Sequence, residues 1–281
     1  MFLGFCVSGT PVTVNGWDRK EIRAFVVGRN DFSFRTRDVA ADGKTPTLIE
    51  LVPKGGTEGR INNCLKAESI EIDVPHGASV KVIGKSGSSS VVVDSIESTK
   101  VDIVSGDIAV SNVAKGVEAA TDVGAIAVRS SGGKMILNTT AGNIVVAKSN
   151  PAGVGDALRA KTHSGSVTLQ ELGYKDVEAH SISGSLSFFG RTYAYGNYNF
   201  TTVSGILSLS LNPDFGFRLK AAFGGSFNSE LALSDVDKSV AKSTIYLSGV
   251  CGSDNSATIT ISSFSGAVRL LRQPPTIDEQ R

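Results

Sequence analysis

Six of the nineteen aromatic residues crowd into one stretch, Phe188 to Phe200. Within it Arg191, Tyr193 and Tyr195 stand together around Thr192 and Ala194. Rings beside a guanidinium can stack on sugars or anchor a protein partner. These three are therefore the candidate partner-binding residues. Phe188, Tyr198 and Phe200 fall on inward positions of the repeat described below and read as core.

Other reactive side chains are scattered. His163 and His180 lie near one another in the repeat, but no carboxylate column accompanies them to complete a metal site. Asp102, Glu118, Asp122 and Glu178 fall on a presumed outer face. They do not form the converging pair that glycoside cleavage uses. The sequence has no Gly-x-Ser-x-Gly elbow, Walker loop or His-Glu-x-x-His. Gly153-Val154-Gly155 reads as a lengthened turn rather than a dinucleotide fingerprint. No catalytic, metal-binding or cofactor-binding residue is expected.

Cys6, Cys64 and Cys251 show no zinc spacing. They are read either as three structural thiols or as one bridge plus a spare. Lys+Arg 28 against Asp+Glu 27 gives a net charge of +1, without the basic excess of an electrostatic nucleic-acid binder. The longest near-apolar run, Met1 to Val7, is far short of the ~20 residues of a membrane helix. The opening has no basic n-region and is too short for a signal h-region; it reads as no signal, or as the stump of one.

The elements that must carry these residues come from a repeat. Corner glycines Gly106, Gly124, Gly142, Gly165, Gly184 and Gly205 follow one another at steps of 18, 18, 23, 19 and 21 residues. Gly266 repeats the same surroundings. Two after each glycine stand Ile108, Ile126, Ile144, Val167, Leu186, Leu207 and Val268. Four after stand Val110, Val128, Val146, Leu169, Phe188, Leu209 and Leu270. Five and three before glycine the columns are apolar and then, apart from Ile103, hydroxyl-bearing, as in Ala119 and Thr121 or Leu137 and Thr139.

Strand side chains alternate faces with period two, so the inward parity flips at each glycine. The glycine is thus a corner between two strands of a coil of about 20 residues, the length of a β-solenoid coil. Outer columns are mixed and largely polar. Stacked coils would oppose Lys100 to Glu118 and Arg159 to Glu178. The hydroxyl column reads as an inward ladder bonded to its neighbours or to backbone.

The ends break this frame. Residues 1–69 are expected to form a β-rich capping region, with short strands at Val12–Val14, Ile22–Val27, Phe32–Phe34 and Leu48–Val52. Residues 70–272 form the solenoid, beginning with an irregular coil at Ser86-Gly87. Phe215 to Gly224 adds a further coil 19 residues beyond Gly205. Thr244–Leu247 and Ala257–Ile261 are expected to pair as a hairpin that caps the stack. Residues 273–281 read as a flexible tail.

Val14-Asn15-Gly16-Trp17-Asp18 with Glu21-Ile22, the bridge Val74-Pro75-His76-Gly77, the serial Thr-x-Ser-Gly-type corners and the closing Gly252 to Leu270 segment resemble the bacterial "putative adhesin" domain family. The resemblance runs from about Val12 to Arg272. It implies a β-helical domain, exported or associated with the cell envelope, and it supplies no catalytic residues. With the general rule for parallel crossovers, it also implies a right-handed parallel β-solenoid. The resulting expectation is a non-enzymatic envelope or surface protein, adhesin-like or scaffold, meeting a glycan or protein partner. The alternatives are a polysaccharide-active β-helix enzyme and a filament-forming solenoid.

Overall fold

The computed structural model describes residues 1–28, 32–37, 48–54, 64–212, 215–252 and 256–273. All regular elements among them are β-strands, and the chain divides into two compact units, Met1–Gly142 and Asn143–Arg281.

The first unit holds β1 (Phe2–Ser8), β2 (Val12–Trp17), β3 (Arg23–Val27), β4 (Phe32–Arg37), β5 (Leu48–Pro53), β6 (Ser69–Pro75), β7 (Ser79–Ser88), β8 (Val91–Asp94), β9 (Ser98–Ser105), β10 (Ile108–Ser111), β11 (Gly116–Val123), β12 (Ile126–Arg129) and β13 (Lys134–Ala141). Each regular coil is a long strand, a corner and a short strand. Long strands pair with long and short with short, all in parallel, which is the solenoid the spacing predicts. Val101, Ala119 and Leu137 share one column, and Ile108 and Ile126 another. All five are buried, the four larger side chains each contributing about 1.5–3 kcal/mol by burial. A single coil has no partner for this face, so the coils are stable only when stacked.

The corners need glycine for a geometric reason. Gly124 has φ +150, and a Cβ there would lie 2.0 Å from the carbonyl oxygen of Gly106 in the adjoining coil. The hydroxyl ladder bonds to these same carbonyls. Thr121 Oγ1 donates to Gly106 O at 3.2 Å, and Thr139 Oγ1 to Gly124 O at 3.0 Å.

The amino-terminal residues depart from the expected separate cap. β1 lies between β5 and β7 and pairs in parallel with both; β2 lies between β6 and β8. Leu3, Phe5 and Val7 point inward and are buried, so the apolar opening is a core strand. The sequence frame misses it because its corner is irregular. The β1–β7 pairing shifts between Val7 and Ser8, and Gly9 packs against Gly87 in place of a regular glycine step. Capping falls to β3 and β4, which run antiparallel to β6 and β5 at the sheet edges. Cys6 and Cys64 form a disulfide with Cα atoms 4.5 Å apart, beside the Val7–Leu65 bridge that holds β1.

The second unit holds β14 (Ile144–Ala147), β15 (Ala157–Ser164), β16 (Val167–Gln170), β17 (Asp176–Ser183), β18 (Leu186–Gly190), β19 (Asn197–Ser204), β20 (Leu207–Leu211), β21 (Phe217–Phe223), β22 (Phe227–Ser229), β23 (Ser234–Ala241), β24 (Thr244–Cys251), β25 (Ala257–Ser263) and β26 (Val268–Arg272). Its coils follow the same rule, and Ser181 Oγ donates to Gly165 O at 2.9 Å.

The expected hairpin between Thr244–Leu247 and Ala257–Ile261 does not form. β25 and β26 instead insert as a parallel coil, β25 between β19 and β21 and β26 between β20 and β22. The hairpin is β23–β24, turning at Lys242 with φ +55, and β24 runs antiparallel to β21. β23, the edge of its sheet, runs antiparallel, and β22, the edge of the other, has only three residues, so a further parallel coil meets no full matching edge. Gln273 donates its N–H to Leu211 O at 2.9 Å; the rest of the expected tail lies outside the described residues.

Candidate functional site

Three outward side chains were expected to form a partner site, and the second unit shows what holds them. The connection from β18 to β19 begins at Arg191 and ends at Gly196. Thr192 is buried and donates its hydroxyl to Phe215 O at 3.1 Å. The core phenol of Tyr198 accepts the N–H of Tyr193 at 2.9 Å and donates to Tyr174 O at 3.1 Å. Burial pushes this phenol up to about 12, so it stays a neutral donor. These anchors fix the turn from below.

Arg191 and Tyr193 are engaged with one another. Arg191 Nε donates to Tyr193 Oη at 3.0 Å, and the guanidinium carbon lies 4.8 Å from the Tyr193 ring centre and 5.6 Å from that of Phe215. Such stacking is worth about 0.5–1 kcal/mol at an exposed site and preorients the guanidinium. Tyr195 is different. Its side chain is 81% exposed, and its backbone sits at φ +60 with its N–H on Ser256 Oγ at 3.3 Å. A left-handed backbone is unfavourable for a non-glycine residue, and the turn, with this N–H bond, offsets that cost.

The arrangement is thus an open phenol ring on the same turn as a preoriented guanidinium, with Phe215, 39% exposed, beside the latter. It can stack on a flat apolar face and donate hydrogen bonds to an acceptor at its rim. Sequence reasoning missed Phe215 because it continues the alternation of Phe217, Leu219 and Ala221. The strand begins only at Phe217, which leaves Phe215 on the surface. Phe188, Tyr198 and Phe200 are core as expected, with Phe188 tilted against both other rings.

The remaining reactive groups hold other positions. Glu118 pairs with Lys100 at 2.5 Å, and Glu178 with Lys161 at 2.7 Å and Arg159 at 3.4 Å. Lys100–Glu118 and Arg159–Glu178 are the rung-to-rung pairs expected from the columns, whereas Lys161 reaches Glu178 diagonally. His180 faces Lys161 across adjoining strands. Burial, then the charges of Lys161 and His163, hold its imidazole below the ordinary value. Among the described residues no group of three or more histidine, cysteine or acidic side chains converges as a metal site. Gly153 lies in a turn closed by Asp156, whose carboxylate accepts the N–H groups of Ala152 and Gly153 at 3.0 and 2.8 Å.

The family described as Toastrack DUF4097 matches residues 7–271, in agreement with the family resemblance carried by the end motifs and corners. A solved structure described as a "putative cell adhesion protein" from Clostridium sporogenes covers 97% of this chain and 92% of its own at 12% identity and a TM-score of 0.28. That likeness is too slight to bear on function. None of the curated proteins matches the chain.

Proposed function

The chain belongs to the Toastrack DUF4097 family, and from that premise we propose that it is a non-enzymatic binding solenoid of the bacterial cell envelope or surface. The observation that carries the binding role is the Tyr195 ring, 81% exposed on a left-handed backbone in the same turn as the stacked Arg191 and Tyr193. A glycan or protein partner is met there through ring stacking and the guanidinium. The Cys6–Cys64 disulfide supports an exported location, because such bonds persist in oxidising compartments.

The test is the double substitution Tyr193→Ala with Tyr195→Ala, assayed for thermal stability and for binding to cell-wall glycans and host surfaces. Lost binding at near-unchanged stability is the expected result. Lost stability with unchanged binding would reduce the rings to packing and remove the site. Fractionation of the source cell tests the location, and a cytosolic protein would end the envelope reading.

A further inference from the structure

The outer face of the first unit carries a trough that the aromatic turn does not involve. Its axis runs across the strands, where β1, β7, β9, β11 and β13 begin. Successive outward residues on these strands are Phe2, Ser79, Ser98, Gly116 and Lys134. The middle three are small and form the floor, with Ser98 Oγ donating to Ser79 Oγ at 2.7 Å. Phe2, 43% exposed, and Leu48 beside it on β5 close one end and Lys134 the other. Two residues along the strands, Lys81, Lys100 and Glu118 form a side wall, and Lys115 lines the trough from the turn before β11. The open trough has a volume of about 620 Å³.

The charge is concentrated here. Four lysines and one glutamate line the trough in a chain whose net charge is only +1. Each of the four coils from β7 to β13 places one lysine along it. Lys100 pairs with Glu118 and Lys115 with Glu97, whereas Lys81 and Lys134 have no ion-pair partner among the described residues. Two unneutralised ammonium groups thus flank a mostly apolar floor that carries the hydroxyls of Ser79 and Ser98, with Phe2 and Leu48 at its end.

We propose that this trough binds a linear anionic glycan. Its floor repeats at the strand spacing of ~4.8 Å, close to the length of one pyranose residue in an extended chain. From Phe2 to Lys134 it spans four such steps, ~19 Å, enough for a short run of sugars. Each sugar carboxylate or sulfate meets the lysine of its rung, ring hydroxyls meet Ser79 and Ser98, and the terminal sugar stacks on Phe2. An acidic peptide fits less well. Extended peptides are captured by unpaired strand edges and side-chain pockets. This floor lies on interior strands whose backbone groups are already paired, and its side chains are too small to form pockets.

The experiment is isothermal titration of the intact chain with hexagalacturonate, maltohexaose and a hexaglutamate peptide, at low and high sodium chloride. Hexagalacturonate should bind saturably and lose affinity with salt, and maltohexaose should bind far more weakly. Lys81→Gln with Lys134→Gln should weaken hexagalacturonate roughly tenfold. It breaks no ion pair, so the fold is unaffected. Ser98→Phe, which fills the floor, should abolish binding; if that variant misfolds, the lysine pair decides. No saturable binding, equal binding of maltohexaose, preference for hexaglutamate, or an unchanged affinity in the lysine variant would each overturn the proposal. None of these substitutions touches the Tyr195 surface, so the two readings fail separately.

Discussion

The hydroxyl of Thr139 donates to the carbonyl oxygen of Gly124 at 3.0 Å, tying the long strand of one coil to the corner of its neighbour. The same carbonyl lies 1.9 Å from where a Cβ on Gly142 would stand. One oxygen therefore explains two columns of the repeat: the corner must be glycine, and the residue three before it carries a hydroxyl. Thr139→Val keeps the shape and deletes the donor, and should cost about 1 kcal/mol in denaturant unfolding. Thr139→Ser should retain most of that stability. Ser263 occupies the same column, but its buried hydroxyl has no hydrogen-bond partner among the described residues. Ser263→Ala should be neutral or stabilising in the same assay, and a loss equal to that of Thr139→Val would contradict the ladder.

Parity along the short strands gives a sharper contrast. Val146 is fully buried, whereas Val145 points to the other face and is half-buried. Val146→Asp should leave the protein unfolded or aggregated, since an unpaired charge in an apolar interior costs several kcal/mol. Val145→Asp should remain soluble, with a cooperative transition by circular dichroism. The reverse outcome would move every inward residue of that coil to the opposite face.

The disulfide pins β1 within its sheet across a sequence separation of 58. Closing a loop of that length is worth about 2–4 kcal/mol through the unfolded chain. Cys6→Ser should lower the unfolding free energy by that order. Thiol counting by mass spectrometry on the native protein should find Cys251 as the sole free cysteine. Burial pushes the Cys251 thiol up, so its alkylation should be slow until denaturant is added.

Asp94 supplies a pH-dependent link between coils. Burial alone would raise its carboxyl. Hydrogen bonds from Ser111, from Ser95 at 2.6 Å and from Asn112 at 2.8 Å, with the charge of His76, outweigh that and hold it below its ordinary 3.8. A depressed folded value means stability that is present above the unfolded value and lost as pH falls through the folded one. Asp94→Asn should therefore melt below wild type near neutral pH, and the difference should close below about pH 4. A constant difference down to acid pH would show that the carboxylate charge plays no part.

The inward columns, the glycine corners, the hydroxyl ladder and the Lys100–Glu118 pairing were all legible in the sequence. Each depends on alternation along one strand and on a fixed step to its neighbour, both of which are local. The placing of β1 between β5 and β7, and of β25 between β19 and β21, was not legible. Every coil presents the same apolar face and the same row of backbone donors and acceptors, so local preference does not distinguish one neighbour from another. That order was decided only by tertiary closure, in which a disulfide, irregular corners and antiparallel edge strands act together. The site divides in the same way. Tyr195 could be recognised as non-core from its offset in the repeat. The mutual engagement of Arg191 and Tyr193, and the arrival of Phe215 from twenty-four residues away, required the coils to be folded.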